Sequence, residues 1–358
     1  MATTSPPLTR PSLLDAHALI QPYIHLTPVL TNSTLNTLAS SPSPSPSSPS
    51  ASRPAHPTIR FHFKCENLQR IGAFKARGAF HALLRLKSSP TFTPSAGVVT
   101  HSSGNHAQAL ALAARTFSIP AHIVMPSIST PSKIAATAGY GARIIPSGST
   151  STEREAVVTE VIKETGAALI PPYDHADIIL GQGTAGLELQ AQVTPTRLDA
   201  IIAPCGGGGL LSGTALSCEG TGIKVFGAEP EFEGADDARR AYYSETGERI
   251  ASVKTLTIAD GLRTPVGAIP WSIIYERRLV AGMYAVTEDQ IKAAMRLVYE
   301  RMKIVVEPSA VVGLAVALYN EEFRAMVEKE GGEKGWDIGV IFTGGNVSLD
   351  ALGKLFAA

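Results

Sequence analysis

The sequence predicts an α/β fold with mainly parallel sheets, on three observations. Short apolar, β-branched runs such as GVVTH, AHIVMP and DAIIAP alternate with stretches of helical periodicity, the pattern of strands joined by crossover helices. These runs lack strict in-and-out alternation, as suits strands buried on both faces. Three of them end in turns of Gly, Ser, Thr or Asn that open onto a helix, in VVTHSSGNHAQAL, AIIAPCGGGGLLSG and VIFTGGNVSLDAL. No internal repeat of fixed period is visible.

Along the chain, SLLDAHALIQPY reads as a short helix and LTPVL as an extended turn. Residues 39–57, ASSPSPSPSSPSASRPAHP, carry too few apolar side chains to offset the entropy of ordering them and are expected to be a disordered insertion. TIRFHFKCE alternates as a strand, with Ile59, Phe61 and Phe63 on one face. The segment around Lys75 should start a helix packed against the sheet. Strand and helix patterns then follow in GVVTHSSGNHAQALALAARTF, AHIVMPSISTPSKIAATAGY, ARIIPSG, TEREAVVTEVIKETG, DAIIAPCGGGGLLSGTALSC, IKVFGAEP and DIGVIFTGGNVSLDAL.

Composition narrows the function classes. The 358 residues are 44% hydrophobic, and 31 basic side chains balance 31 acidic ones, which suits a soluble chain of one large or two medium domains and argues against a nucleic-acid or membrane partner. No run reaches the ~20 apolar residues of a membrane span. The start MATTSPPLTRPSLL lacks the basic head and apolar core of a secretory signal, so a cytoplasmic location is expected. Cys65, Cys205 and Cys218 form no CxxC pair and show no metal-finger spacing, so neither a disulfide framework nor a structural zinc is indicated.

Strand ends that run into helix starts are where open α/β sheets bind ligands, because free backbone N–H groups and the positive helix end collect there. The run Gly206–Gly209 lets the backbone curl around an anion with its amides pointing inward, and a phosphate is the expected guest. No Gly-Lys-Ser/Thr follows, so it is not a P-loop. A dinucleotide site competes: Glu229 ends the next strand about 20 residues on, where a ribose-binding acid belongs, but Ser212 stands where the third glycine is expected. The second signal is Lys75 among small residues beside Phe74. Burial and a helix N-terminus are means of freeing a lysine amine, which at its ordinary pKa near 10.4 is a poor nucleophile. A phosphate cradle, a candidate Schiff-base lysine and an Asn/Ser-rich loop together suggest pyridoxal phosphate.

The motifs HLTPVL, KCENLQRIGAFKARGA, VVTHSSGNHAQALALAA, GQGTAGLE, CGGGGLLSG, TIADGLRT, VEPSAVVGLA and FTGGN occur in this order. In them the chain resembles the fold-type II pyridoxal-phosphate enzymes, specifically the serine/threonine dehydratase and serine racemase family, over nearly all its length outside the proline tract. The resemblance implies that Lys75 holds the cofactor and acts on the Cα proton, with Phe74 packed against the ring. Gly206, Gly207, Gly208, Gly209 and the amide of Leu210 would hold the phosphate, Asn105 the 3-hydroxyl, and Thr343 the pyridine nitrogen. Gly261 in TIADGLRT joins the cofactor set. Ser102, Ser103, Gly104, Asn105 and His106 would receive the substrate carboxylate, and Ser103 would face the lysine across the cofactor as the second racemase base.

A neutral hydroxyl at the ring nitrogen favours expulsion of a β-substituent, which implies a dehydratase with racemisation as a shared activity. Tyr173 stands where dehydratases carry an aromatic residue. Arg154 reads on the bare sequence as a surface arginine, yet the resemblance to the racemases implies a position within reach of substrate, which would suit threo-3-hydroxyaspartate. Glu307 matches a buried family glutamate near the cofactor and equally suits a helix cap ahead of Pro308. A divalent ion (Mg²⁺, Ca²⁺ or Mn²⁺) is implied at Glu229, Ala235 and Asp237, at a spacing two residues longer than in the racemases. The family also implies a homodimer, a large domain of residues 1–96 and 174–358, and a small one of 97–173 that closes over substrate. With Ala358 soon after TGGN, no regulatory C-terminal domain and no isoleucine feedback are expected.

Overall fold

The structure, a computed structural model, describes residues 5–42, 53–129 and 131–357. Its strands are β1 (Val29–Leu30), β2 (Ile59–Cys65), β3 (Val98–His101), β4 (Ala121–Pro126), β5 (Arg143–Ser147), β6 (Ala168–Leu169), β7 (Ala200–Pro204), β8 (Lys224–Pro230), β9 (Gly282–Val286) and β10 (Trp336–Phe342). They form two sheets, one of six strands in the order β1-β2-β10-β7-β8-β9 and one of four in the order β5-β4-β3-β6. Only β1 runs antiparallel, against β2; the other pairings are parallel, as expected for strands joined by helical crossovers.

Ile59, Phe61 and Phe63 share the buried face of β2. Phe63 stacks on Phe342 of β10 at 4.8 Å between ring centroids, where the register pairs Phe342 with Cys65. Strict alternation stops at Lys64, which is also buried. Its ammonium pairs with Glu188 at 2.6 Å and donates to the Thr27 carbonyl and Gln192, so burial leaves it no unmet hydrogen bond. Glu188 also binds Arg77, which in turn holds Glu66. This ion network ties β2 to two helices.

The helix Lys75–Lys87 packs on the helices Ala176–Gln192 and Asn105–Thr116 rather than on a sheet. It follows β2 of the six-stranded sheet, whereas Asn105–Thr116 follows β3 of the other, so it lies where the two halves meet. Glycines make that packing possible: a Cβ on Gly181 would come within 2.7 Å of the Arg77 carbonyl, and one on Gly183 within 2.4 Å of the Gly213 carbonyl. GQGTAGLE is thus a surface of close helix approach. Elsewhere local chemistry sets the bounds. Thr150 and Glu153 form a reciprocal capping box that starts the helix Ser151–Thr165, and Gly166 ends it at φ 73°.

Residues 43–52 of the proline tract lie outside the described residues. Its described ends are ordered, against the expectation for 39–57. The helix Ser33–Ser40 runs into the tract, and Ala39 and Ala55 are buried. The reason is Arg324, fully buried, whose guanidinium donates to the carbonyls of Ala39, Ser41 and Ala55 and pairs with Glu321. Glu321 in turn accepts from the Ala55 amide.

Candidate active site

Lys75 is the first residue of its helix. Its Nζ donates to the Pro172 carbonyl at 2.7 Å and lies 5.1 Å from the centroid of the Phe74 ring. Burial lowers its pKa from 10.5 to about 7, because no counter-charge offsets the loss of water. The turn before it is strained: Ile71, a β-branched residue, sits at φ 58° and Gly72 at φ 70°. Asn346 holds that turn, its Nδ2 donating to the Ile71 carbonyl at 2.7 Å.

The same amide donates to Asn105 Oδ1 at 2.8 Å, and Asn105 Nδ2 donates to Glu307 Oε1 at 2.8 Å. Glu307 Oε2 accepts from the Asn346 backbone at 3.2 Å. Glu307 therefore serves this chain of amides, and its side chain makes no capping bond to the 3₁₀ turn Pro308–Val311 that it precedes. Burial, with the Asp260 charge adding to it, raises its pKa to about 8. Phe74 donates its amide to the Thr343 carbonyl at 3.0 Å. The Thr343 hydroxyl is buried and has no hydrogen-bond partner among the described residues.

Gly206–Gly209 form a lined cradle. An added Cβ would meet the Leu262 backbone at 2.9 Å from Gly206, the Tyr173 ring at 2.2 Å from Gly207, Pro270 at 2.8 Å from Gly208 and Gln182 Oε1 at 2.5 Å from Gly209. Gly208 also needs its left-handed φ of 84° before the helix Gly209–Cys218 begins. The loop can therefore present only backbone to a guest, and Leu210 is buried behind it. Gly261 lies against Gly206 and donates its amide to Ser309 at 3.0 Å.

The loop between β3 and the helix Asn105–Thr116 faces open space at Gly104, where an added Cβ meets nothing within 4 Å. Ser102 is anchored through its amide to the Val124 carbonyl, and its hydroxyl accepts from Gly104. Ser103 is half-buried between them. The His106 ring turns inward: its Nε2 donates to the Ile170 carbonyl at 3.1 Å. Burial, and after it the Lys75 charge, lower its pKa to about 3, so its imidazole is neutral. Arg154 is half-buried, and its charge acts on both His101 and Tyr173.

Glu229 is fully buried, and its two oxygens accept the amides of Ala238 and Arg239 at the start of the helix Asp237–Tyr242. A ribose cannot reach it, so the dinucleotide reading is corrected. Asp237 accepts the Val266 amide at 3.0 Å. Burial raises both acids, Asp237 to about 6, and Glu229 further under the Asp237 charge. Among the described residues no group of three or more His, Cys, Asp or Glu side chains is placed to hold a metal.

Lys75, Phe74, Asn105, Glu307, Thr343 and the glycine loop thus converge. Sequence reasoning assigned no role to Asn346, Gln182 or the Pro172 carbonyl. The asparagine of TGGN and the glutamine of GQGT were in view, but their contacts come from distant chain segments.

Residues 40–344 match a family described as pyridoxal-phosphate dependent enzyme. The chain is 43% identical over 350 residues to a serine racemase of Dictyostelium discoideum, covering 97% of this chain and 98% of that protein. It is 40% identical to an L-threo-3-hydroxyaspartate ammonia-lyase of Saccharomyces cerevisiae, covering 96% and 95%. The structure of maize serine racemase superposes with a TM-score of 0.83 at 39% identity, covering 97% of this chain and 96% of that one. With a buried low-pKa lysine, a glycine cradle and this likeness over almost the whole length, the chain belongs to the fold-type II pyridoxal-phosphate-dependent enzymes.

Proposed function

We propose that the enzyme catalyses β-elimination from a β-hydroxy amino acid of the L-serine or L-threonine type, releasing a keto acid and ammonia, with serine racemisation as a shared activity. The observation that carries this reading is the buried Lys75 amine, at a pKa of about 7, next to Phe74, whose amide binds the backbone of Thr343, a residue whose hydroxyl has no partner among the described residues. Pyridoxal phosphate, when bound, supplies an electron sink for bonds broken at an amino acid's Cα. The donor set fits it. Lys75 would hold its carbonyl carbon, the amides of Gly206–Leu210 its phosphate, Phe74 its ring, Asn105 its 3-hydroxyl and Thr343 its ring nitrogen.

Lys75 is the base for the Cα proton, since an amine of pKa about 7 is substantially unprotonated at neutral pH. A neutral Thr343 hydroxyl would not keep a proton on the ring nitrogen as an aspartate would, which would favour departure of a β-hydroxyl together with loss of the Cα proton. Ser102 to His106, at the start of the helix Asn105–Thr116, receive the substrate carboxylate through amides and hydroxyls. Ser103 serves the face opposite Lys75 and returns a proton there in racemisation. Gly261 supports the cradle, and Glu307 fixes Asn105. The division into residues 97–173 against 1–96 and 174–358 follows the two sheets, with the cleft between them.

The relatives' names include both activities, which supports a shared site. The charge of Arg154, which acts on His101 and on Tyr173, whose ring lies against Gly207, favours a second reading, a substrate with an additional carboxylate such as threo-3-hydroxyaspartate. A divalent ion at Glu229, Asp237 and the Ala235 carbonyl is supported by two buried carboxylates whose like charge a cation would offset.

The test is a panel of L-serine, L-threonine, D-serine and threo-3-hydroxyaspartate, assayed for keto acid and for chiral inversion, with and without EDTA and Mg²⁺. Keto acid from an L-hydroxy amino acid is expected, with activity lost under chelation. A Ser103→Ala variant should keep elimination of L-serine and lose activity on D-serine. Equal loss on both isomers would refute the two-face assignment, and no keto acid from any member would refute the function.

A further inference from the structure

Gln182 stands on the helix Ala176–Gln192, fully buried, and serves no role described so far. Its Nε2 donates to the Pro172 carbonyl, the same oxygen that accepts from Lys75. Its Oε1 has no hydrogen-bond partner among the described residues and lies beside Gly209, where an added Cβ would be 2.5 Å away. A buried amide oxygen without a donor is costly, by about 1–3 kcal/mol, so this oxygen is aimed at something the chain does not supply.

The surroundings say what. Among the described atoms nearest to where side chains on Gly206–Gly209 would lie, the polar ones are the Gly261 carbonyl and Gln182 Oε1. Both are acceptors, and none of those atoms is cationic. A fully ionised phosphate at this loop would meet an acceptor oxygen, which repels it. A phosphate that keeps one proton turns the same oxygen into a hydrogen-bond partner.

We propose that Gln182 is a positioning residue for the cofactor phosphate, its Oε1 accepting a hydrogen bond from a protonated phosphate oxygen so that the group is bound as the monoanion. The inference rests on the reading that Gly206–Gly209 hold the phosphate. It gives the site a proton store next to Lys75, linked to it through the Pro172 carbonyl.

The experiment is a ³¹P NMR pH titration of the holoenzyme, as wild type, Gln182→Met and Gln182→Glu, with affinities of each cofactor-free protein for pyridoxal phosphate and for pyridoxal. The wild-type phosphate should titrate about one pH unit above that of Gln182→Met, a tenfold difference in proton affinity. Gln182→Glu, which keeps an acceptor oxygen, should stay at or above wild type. Equal midpoints in wild type and Gln182→Met, or a lower one in wild type, overturn the proposal, the latter because it marks a donor to the dianion. Should Gln182→Met fail to load, a wild-type midpoint at or below the second phosphate pKa of about 6 overturns it and a higher one supports it. Equal wild-type affinity for pyridoxal and its phosphate would instead overturn the glycine-loop reading itself, and the proposal with it.

Discussion

Replacing Glu307 with glutamine should change the pH dependence of stability in a calculable way. The Glu307 carboxyl accepts from Asn105 and from the Asn346 amide, and both bonds favour the ionised form. Burial outweighs them and raises the pKa from 4.5 to about 8. Between those values the folded chain binds a proton that the unfolded chain has released, so stability falls as pH rises through this window. Three and a half units at 1.36 kcal/mol each set a ceiling of about 5 kcal/mol. A glutamine at this position cannot ionise and carries no such slope. Urea unfolding of the cofactor-free wild type and Glu307→Gln at pH 5 and pH 8.5 isolates the residue, because other titrating groups cancel in the difference. Between pH 5 and pH 8.5 about 2.8 of those units are traversed, so the wild type should lose about 4 kcal/mol relative to the variant. An unchanged difference would mean that Glu307 is ionised in the fold at both pH values, and the reasoning from burial would fail.

Gly207→Ala drives a methyl into the Tyr173 ring, 2.2 Å away, and overpacking of this kind costs about 1–3 kcal/mol; a fluorescence titration should show cofactor affinity about 5- to 150-fold weaker. Arg324→Met leaves the Glu321 carboxylate and the carbonyls of Ala39, Ser41 and Ala55 without their buried donor, and should cost about 3–5 kcal/mol in urea unfolding. Excising residues 43–52 while keeping Ser41 and Ala55 should leave cofactor binding unchanged, whereas cutting back to 41–55 removes two of the Arg324 contacts and should lower stability. Lys133 and Asp260 pair at 2.6 Å between the helix Pro131–Ala138 and the turn Asp260–Leu262, with both side chains partly exposed. Lys133→Ala should raise KM by no more than about fivefold, the effect shrinking with added salt.

What the sequence revealed was what short-range pattern encodes. Four glycines in a row after a β-branched strand mark a tight turn into a helix, which the structure has at Gly206–Gly209, and the TIRFHFKCE alternation places Ile59, Phe61 and Phe63 inward. What it hid depends on partners far along the chain. Lys64 breaks the alternation because Glu188, 124 residues away, neutralises it. The proline tract looked disordered throughout because its anchor, Arg324, lies about 270 residues beyond and reads locally as one more charged residue of an exposed helix. Glu229 matched a ribose acid by spacing, yet spacing could not show that its two oxygens cap the helix starting at Asp237. Gln182 and the Pro172 carbonyl reach Lys75 and the glycine loop only through the packing of three helices, which no local motif records.

The most direct test of Lys75 as the cofactor-bearing base is borohydride reduction of the holoenzyme followed by peptide mapping, with keto-acid production by Lys75→Ala measured alongside. One reduced cofactor adduct on Lys75, and no keto acid from the variant, is the expected result. An adduct on another lysine, or keto acid from Lys75→Ala at the wild-type rate, would contradict it.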